Sequence, residues 1–183
     1  MKKILSKARK AIVPILIVLM LIYVYVGNIG KYSISILQET GSKTVGEITE
    51  GLEFGQTFQA DVNDLSGVSI KLATYMRENT GDVTVGLRLV GDHKDIYSTT
   101  VDAKSIQDNQ FFKLRFPPIK NSKGKKYYLY VNSTGTQGHS ITAYKADNNP
   151  YKQGELFINN KKQAQDDLTF IVYYNKTFLD WLV

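Results

Sequence analysis

The chain holds few of the residue patterns that support catalysis. Its two histidines, His93 and His139, stand in separate turns, and neither belongs to a His-x-His or His-Glu-x-x-His pair that would bind zinc. No serine lies in a Gly-x-Ser-x-Gly elbow, and the Glu-x-Asp-x-x-Glu signature of sandwich glucanases is absent. The acids stand almost wholly in turns rather than as the pair that glycoside hydrolysis requires. We therefore predict that the protein is not an enzyme.

Two groups of acidic and amide side chains have the chemistry that calcium prefers. Asp61, Asn63 and Asp64 stand close together, and Asp167 follows Asp166 near the far end of the predicted domain. Oxygen ligands clustered at strand ends suit this ion, so a structural calcium is the one cofactor that the sequence suggests. The alternative is a set of turns in which these side chains bond the nearby backbone. No other cofactor is predicted.

Tyrosine is the marked compositional bias, with 12 residues against a single tryptophan. Aromatic faces can stack on sugar rings, and three tyrosines are the candidate ligand-binding residues: Tyr128, Tyr144 and Tyr151. The alternative is ordinary packing within a sandwich. Neighbouring tyrosines such as Tyr127 and Tyr128 must point to opposite faces of a strand, so only some of the tyrosines can serve a ligand.

The elements that must position these residues begin with an apolar run. Residues 11–26 contain no charge, and five cations precede them without any acid. Extended to Ile29, the run forms about 28 Å of helix, close to the roughly 30 Å of a bilayer core. We predict a single-pass membrane anchor over 11–29, with residues 1–10 in the cytoplasm, Tyr23 and Tyr25 at the interface, and the main domain extracytoplasmic. The alternative is a cleaved signal peptide, although bulky residues stand where cleavage requires small ones.

The basic balance of the chain is concentrated at its amino end. The formal net charge is +6, but residues 11–183 carry 18 cations against 17 anions. Phosphate backbones require a basic face, so nucleic acid is not predicted as a partner. A lysine cluster within 120–126 is a candidate contact for anionic lipid or wall polymer, with a solvated hairpin end as the alternative. Cysteine is absent, which excludes a disulfide framework and thiol catalysis.

Beyond the anchor, the dominant hydrophobic period is two, which is typical of strands with one buried face. We predict a mainly β protein, an antiparallel jelly-roll β-sandwich of roughly 8–9 strands over 51–175. A stalk is expected over 30–50, although Ser33–Ile36 alternates and could form a short strand. Pro117-Pro118 is expected to end a strand, and 101–108 to form a helical turn or two. The predicted core comprises Val68, Ile70, Leu72, Val83, Val85, Leu87, Phe112, Leu114, Phe116, Leu129, Val131, Leu168, Phe170 and Val172.

The stretch from Phe54 to Tyr174 carries a collinear series of motifs. They are Phe54-Gly55-Gln56-Thr57-Phe58, Leu65-Ser66-Gly67-Val68, Asp108-Asn109-Gln110-Phe111, the run from Phe116 to Tyr127, Tyr151-Lys152-Gln153-Gly154-Glu155-Leu156, and Asp167-Leu168-Thr169-Phe170-Ile171-Val172-Tyr173-Tyr174. The series resembles a jelly-roll module found outside the bacterial cytoplasmic membrane, in membrane proteins of surface-polysaccharide and glycosyl-transfer systems. The resemblance implies a carbohydrate-binding-like architecture.

Two functions from different classes fit these observations. The first is a membrane-anchored binding module of the cell envelope that recognises glycan. The second is a structural or accessory subunit that packs on a partner membrane protein of polysaccharide or glycosyl transfer. The apolar tail, 176–183, contains the sole tryptophan, Trp181. It is expected either to begin a second membrane span or to dock at the lipid interface, which tryptophan favours.

Overall fold

The computed structural model describes residues 2–25 and 30–177, which fall into two units. One unit comprises Met1–Ser33 and Asn175–Val183, and the other is Ile34–Tyr174. The first unit holds a helix, α1 (Lys2–Tyr25), with Pro14 inside it. Side chains 11–23 of this helix are all exposed. Within the described ranges, no helix is both long enough and apolar enough to cross a membrane.

Thirteen strands are assigned in the described residues, and they form two antiparallel sheets of seven and six strands. The strands are β1 (Gly30–Gln38), β2 (Lys43–Thr44), β3 (Glu53–Gln59), β4 (Leu65–Ala73), β5 (Asp82–Leu89), β6 (Asp95–Asp102), β7 (Gln110–Ile119), β8 (Lys126–Ser133), β9 (Thr142–Asp147), β10 (Leu156–Ile158), β11 (Lys161–Gln163), β12 (Asp166–Leu168) and β13 (Phe170–Thr177). The predicted mainly β, sandwich-like architecture is thereby confirmed. The expected number of roughly 8–9 strands is too low, because four strands of only two or three residues (β2, β10, β11 and β12) give no clear alternating pattern.

The order of strands places β4 at the centre of one sheet, and β3 and β8 at the centre of the other. The seven-stranded sheet has the order β1-β13-β4-β9-β12, with β2 paired to β9 and β7 paired to β4. The six-stranded sheet has the order β11-β10-β3-β8-β5-β6. Consecutive residues of a strand alternate between the core and the outer face. On the central strand β4 both faces are largely buried.

The core lies between the inner faces of the two sheets and follows the predicted period of two. All the predicted core residues are buried except Phe112, which is half-buried and packs against the core. Aromatic rings join the sheets at the centre. The Phe58 ring lies 5.7 Å from Tyr127 and 6.1 Å from Phe170, measured between ring centroids.

Two local expectations are corrected by the structure, and a third is confirmed with shorter bounds. The segment 30–50, expected as a stalk, contributes β1 and β2, and the alternating Ser33–Ile36 lies within β1. The strand β7 continues through Pro117 and Pro118 instead of ending before them. These prolines lie at a register shift on a strand paired only with β4 in the described sheet, where no ladder donor is required of them. The helical turn expected over 101–108 is a single 3₁₀ turn, Ala103–Ser105.

Replacing Phe170 by alanine should lower the free energy of unfolding by about 3–5 kcal/mol, because the ring is fully buried where the sheets meet. Urea denaturation measures the loss. Phe111→Ala is the matched control, since this half-exposed phenylalanine stands outside the core cluster and should cost much less. Equal losses for the two variants would show that the core is assigned to the wrong faces.

Candidate functional site

The candidate site is built on the outer face of the six-stranded sheet. Strand register places Phe157 of β10 opposite Gly55 of β3, and Gly55 opposite Tyr130 of β8. On its other side, Tyr130 stands opposite Gly86 of β5. One step along the strands, Tyr128 lies opposite Arg88. The register therefore gathers aromatic and charged side chains from four strands onto the outer face of the sheet, where Tyr130 is only 4% exposed.

The two glycines explain how the tyrosine rings lie on this surface. A Cβ atom added at Gly55 would stand 2.1 Å from Cζ of Tyr128, and one added at Gly86 would stand 2.4 Å from Cζ of Tyr130. Glycine weakens the interior of a strand and often marks a close approach by another group. Here it leaves room for each phenol ring to lie directly over the neighbouring strand. The rings of Tyr128 and Tyr130 are consequently held near-parallel, 19° apart, with centroids separated by 6.3 Å.

The Arg88 guanidinium lies over both rings, and the Glu53 carboxylate compensates its charge. Its guanidinium carbon lies 4.3 Å from the centroid of Tyr130 and 5.1 Å from that of Tyr128. The guanidinium also donates to the carboxylate of Glu53 at 2.5 Å. Cations over aromatic faces are attracted by the ring quadrupole, and the ion pair compensates the charge. The result is a stiff surface of two rings and one ion pair.

The phenol groups of this surface stay protonated. Burial raises the pKa of Tyr128, and the adjacent charge of Glu53 raises it further. Burial likewise raises the pKa of Tyr130, whose hydroxyl donates to the Asp95 carboxylate at 2.5 Å. A raised pKa keeps a tyrosine in its neutral O–H form through the whole physiological range. Both aromatic groups are therefore uncharged.

A pocket of about 690 Å³ opens beside this surface, within the range that small-molecule sites occupy. The ring of Phe157 meets that of Tyr128 edge-on, at 77° and 6.1 Å between centroids. The two rings therefore form two adjacent sides of the pocket, which we call the corner. Polar groups complete the lining: Thr57, Asp92, His93, Asn159 and Asn160, together with Glu53 and Arg88.

A tight turn places the amide groups at the edge of this pocket. Asn159 and Asn160 join β10 to β11 with φ values of 46° and 63°, the left-handed pair that a two-residue hairpin turn requires and that asparagine tolerates. The Asn159 side chain accepts a hydrogen bond from the backbone N–H of Glu53 at 2.7 Å, which ties the turn to β3. Asn160 is exposed at the turn.

The structure separates the three tyrosines that the sequence proposed as ligand-binding residues. Tyr128 lines the pocket. Tyr144 lies on β9 of the other sheet, where it bonds Asn109 and lies beneath the Lys71 ammonium. Tyr151 packs edge-on against Phe170 at 5.3 Å.

Tyr151 is partly exposed and packs against the core. Its hydroxyl accepts from the backbone N–H of Gln59 at 3.3 Å, and burial raises its pKa to about 12. The residue is only partly buried, and the glycan-stacking role stays a prediction for it.

The candidate calcium ligands are engaged by protein groups. The side chain of Asn63 accepts from the backbone N–H of Lys123 at 3.1 Å, and Asp64 lies 3.1 Å from the Lys120 ammonium. Asp61 is exposed. The described part of the chain holds no group of three or more His, Cys, Asp or Glu side chains suited to a metal ion.

Asp167, the remaining candidate calcium ligand, lies in the interior of the protein. It is fully buried and accepts from Gln56 and from the backbone N–H of Tyr151, both at 2.8 Å. Both carboxylate oxygens thus have protein donors. Burial raises the pKa of Asp167, and these two hydrogen bonds oppose the rise.

Two of the candidate membrane residues, Tyr23 and Tyr25, lie on α1. Tyr23 is 52% exposed on α1. Tyr25 closes that helix, and Trp181 lies outside the described residues, as do residues 26–29 at the end of the predicted anchor.

Several residues of the pocket were missed by sequence reasoning, notably Glu53, Arg88 and Phe157. A signal for them does exist, because Gly55 and Gly86 interrupt two strands that otherwise alternate apolar and polar residues. The sequence does not say which aromatic side chain covers a strand glycine, since that depends on the register between distant strands.

No family model matches the chain, and no curated protein matches it in sequence. Among solved structures it is similar to the cysteine protease and lectin-like domains of Cwp84, a surface layer associated protein of Clostridium difficile, with a TM-score of 0.50 and 12% identity. The same clostridial protease after propeptide cleavage gives a TM-score of 0.54, also at 12% identity. The chain is also similar to TmCBM61 in complex with β-1,4-galactotriose, at a TM-score of 0.34 and 12% identity, over 57% of this chain and 61% of that one.

The matches to the two Cwp84 structures cover 80% of this chain but only 36% and 40% of the longer chains. At this identity the likeness is one of fold alone. This likeness agrees with the two-sheet β architecture of the structure.

Replacing Gly86 by alanine should displace the Tyr130 ring and lower the free energy of unfolding by about 1–3 kcal/mol, as overpacking does. The double variant Gly86→Ala/Tyr130→Ala should lose less than the sum of the single losses, because the clash disappears with the ring. Thr84→Ala, on the same strand and face, is the control. Additive losses in the double-mutant cycle would contradict the packing of the Tyr130 ring over Gly86.

Asp167 should give the wild-type protein a stability that falls as pH rises. Its folded pKa lies above the ordinary value of 3.8, so between these two pKa values the folded state binds more protons than the unfolded state. The difference in unfolding free energy between wild type and Asp167→Asn should therefore shrink from pH 4 towards neutrality. Urea denaturation of both proteins across this range measures it. A difference that grows with pH would mean that the hydrogen bonds outweigh burial.

Proposed function

We propose that the protein is a binding module for uncharged glycan, and that the Tyr128 pocket holds the sugar. The observation that carries the proposal is the corner between the rings of Tyr128 and Phe157 above a rim of amide, hydroxyl and carboxylate groups. A sugar ring has an apolar face that stacks on an aromatic ring and hydroxyls that bond polar groups. Arg88 is paired with Glu53, so the pocket lining offers no unpaired lysine or arginine to an anion, and this disfavours an acidic ligand.

We further propose that this module works outside the cytoplasmic membrane, anchored by its amino-terminal helix. Five cations before an uncharged apolar run support this orientation. The exposure of every side chain from 11 to 23 on α1 also supports it, because an apolar helix surface of this length calls for a covering medium. We also propose that the strands have jelly-roll connectivity and that the protein works in the cell envelope.

Binding of the full chain to a glycan array tests the pocket. Tyr128→Ala and Phe157→Ala should each weaken binding of the selected glycan roughly tenfold or more, since each removes one wall of the corner. Tyr144→Ala removes a tyrosine from the other sheet and should leave the affinity unchanged. Binding that survives both pocket substitutions, or none to any uncharged glycan, would contradict the proposal.

A second candidate function, an accessory subunit of a membrane complex, is favoured by the turn after β4. Tyr75 and Met76 both have φ near 56°, a left-handed conformation that costs energy in residues other than glycine. Met76 is 90% exposed. Hydrogen bonds from Thr74 to Asp108 and from Asn79 to Thr74 hold the turn rigid. A rigid, strained turn with an exposed apolar tip suits insertion into a partner.

The size of the native complex extracted in mild detergent distinguishes the two functions. If the turn docks on a partner, Met76→Asp should reduce the complex to the single chain. Lys152→Asp, a substitution at another exposed position, should not. A complex of unchanged size in the Met76 variant would exclude the turn as the docking element.

A further inference from the structure

The pocket extends beyond the corner between Tyr128 and Phe157. Its lining also includes five consecutive residues at the end of β5 and directly after it, 89–93. We call them the β5 turn. The same lining includes the turn between β10 and β11, formed by Asn159 and Asn160. Two turns from different parts of the sequence therefore border one pocket.

Strand register places the two turns at opposite ends of the pocket. The Asn159 side chain accepts from the backbone N–H of Glu53, the first residue of β3. Leu89, the last residue of β5, lies opposite Tyr127, which lies opposite Phe58 near the end of β3. The turns are thus five residues apart along the strands, roughly 17 Å, and three strands apart across the sheet, roughly 14 Å. Their backbones are separated by roughly 20 Å along the diagonal.

Backbone hydrogen bonds fix the β5 turn. The Asp92 N–H donates to the Leu89 carbonyl at 3.1 Å, and the Val90 N–H donates to the Lys126 carbonyl at 3.1 Å. Gly91 is the third residue of this turn and has a φ of 94°, which glycine adopts without strain. The turn therefore holds its place without using its side chains.

In the middle of the pocket the polar side chains are already engaged by protein groups. Glu53 pairs with Arg88. The Thr57 hydroxyl accepts from the backbone N–H of Glu155 at 2.9 Å. A sugar placed here is therefore held mainly by stacking on the Tyr128 ring.

At the two turns, by contrast, polar side chains have hydrogen-bonding groups to spare. Within the part of the chain that the structure describes, the side chains of Asp92, His93 and Asn160 make no hydrogen bond or ion pair, and all three are exposed. Val90 adds a half-exposed apolar surface beside Asp92 and His93. Carboxylate, imidazole and amide groups can bond sugar hydroxyls. Each turn thus provides polar contacts of its own, separate from the stacking surface between them.

We propose that the pocket binds a chain of at least three linked sugars, an inference that rests on the glycan binding proposed above. One sugar stacks on Tyr128, one bonds the β5 turn and one bonds the turn at Asn159 and Asn160. A single sugar ring is too short to reach both turns, and the pocket volume of about 690 Å³ is several times that of one ring. Linking the sugars makes the second and third contacts intramolecular, so weak contacts at the turns add to the affinity.

Titration of the full chain in detergent micelles tests this dependence on length. The probes are the mono-, di- and trisaccharide of one neutral hexose series selected on the array. The Kd should fall roughly tenfold or more from monosaccharide to trisaccharide, because two further sets of contacts form. In ¹⁵N-resolved NMR spectra the trisaccharide should shift the backbone amides of Gly91 and Asn160 together with that of Gly55. Equal affinity for the monosaccharide and the trisaccharide, or trisaccharide shifts at only one of the two turns, would overturn the proposal.

Substitutions in the β5 turn decide whether this turn contacts the chain of sugars. Asp92→Ala and His93→Ala together should weaken trisaccharide binding roughly tenfold and bring its affinity towards that of the monosaccharide. The turn should persist, because the Asp92 N–H that closes it belongs to the backbone. Asp61→Ala with Lys94→Ala is the control, since both residues are exposed and stand outside the pocket lining. An unchanged preference for the trisaccharide in the β5 turn variant, or an equal loss in the control, would overturn the proposal.

The same titration separates this inference from the proposed function. If all three saccharides shift the amides of Gly55 and Gly86 with equal affinity, the pocket binds one sugar, and only the inference about chain length is wrong. If no saccharide of any length shifts either amide, the proposed glycan-binding function is wrong and the inference falls with it.

Discussion

The contact between Phe58 and Phe170 is the interaction on which the rest of the structure depends. Phe58 belongs to β3 of the six-stranded sheet and Phe170 to β13 of the seven-stranded sheet, so their rings join the two layers directly. The chain contains no cysteine, and packing must hold the sheets together without a disulfide. β3 also carries Glu53 and Gly55 on its other face. The same strand thus fixes the core on one side and the floor of the pocket on the other.

The core could be predicted from the sequence because it requires only local information. Alternation of apolar and polar residues indicates which side of a strand is buried, and this does not depend on which strand lies next to it. The turn at Asn159-Asn160 and the turns that contain glycine can be predicted for the same reason, because turn residues are a local signal in the sequence. β1 was missed as a full strand because its polar residues gave only a short alternating segment, and its place depends on pairing with β13.

The pocket could be predicted only in part, because it depends on register between strands far apart in sequence. Tyr128 was identified from its residue type, but its partners come from β3, β5 and β10. Tyr151 was chosen for the same reason, and it packs on Phe170 instead. Neither tyrosine carries a local signal that separates the two environments. Gly55 and Gly86 were the better indicators, since each marks a position where a ring lies over the backbone.

The central claim is that an uncharged sugar occupies the corner between Tyr128 and Phe157, and the backbone amides beneath that surface report on it most directly. Glycine amides can be followed by ¹⁵N-resolved NMR of the full chain in detergent micelles during titration with a neutral hexose trisaccharide selected on the array. The account predicts saturable shifts at Gly55 and Gly86, and none at Gly41, which packs against Thr169 of the other sheet. Shifts at Gly41 with none at Gly55 or Gly86 would place the ligand elsewhere and contradict the account.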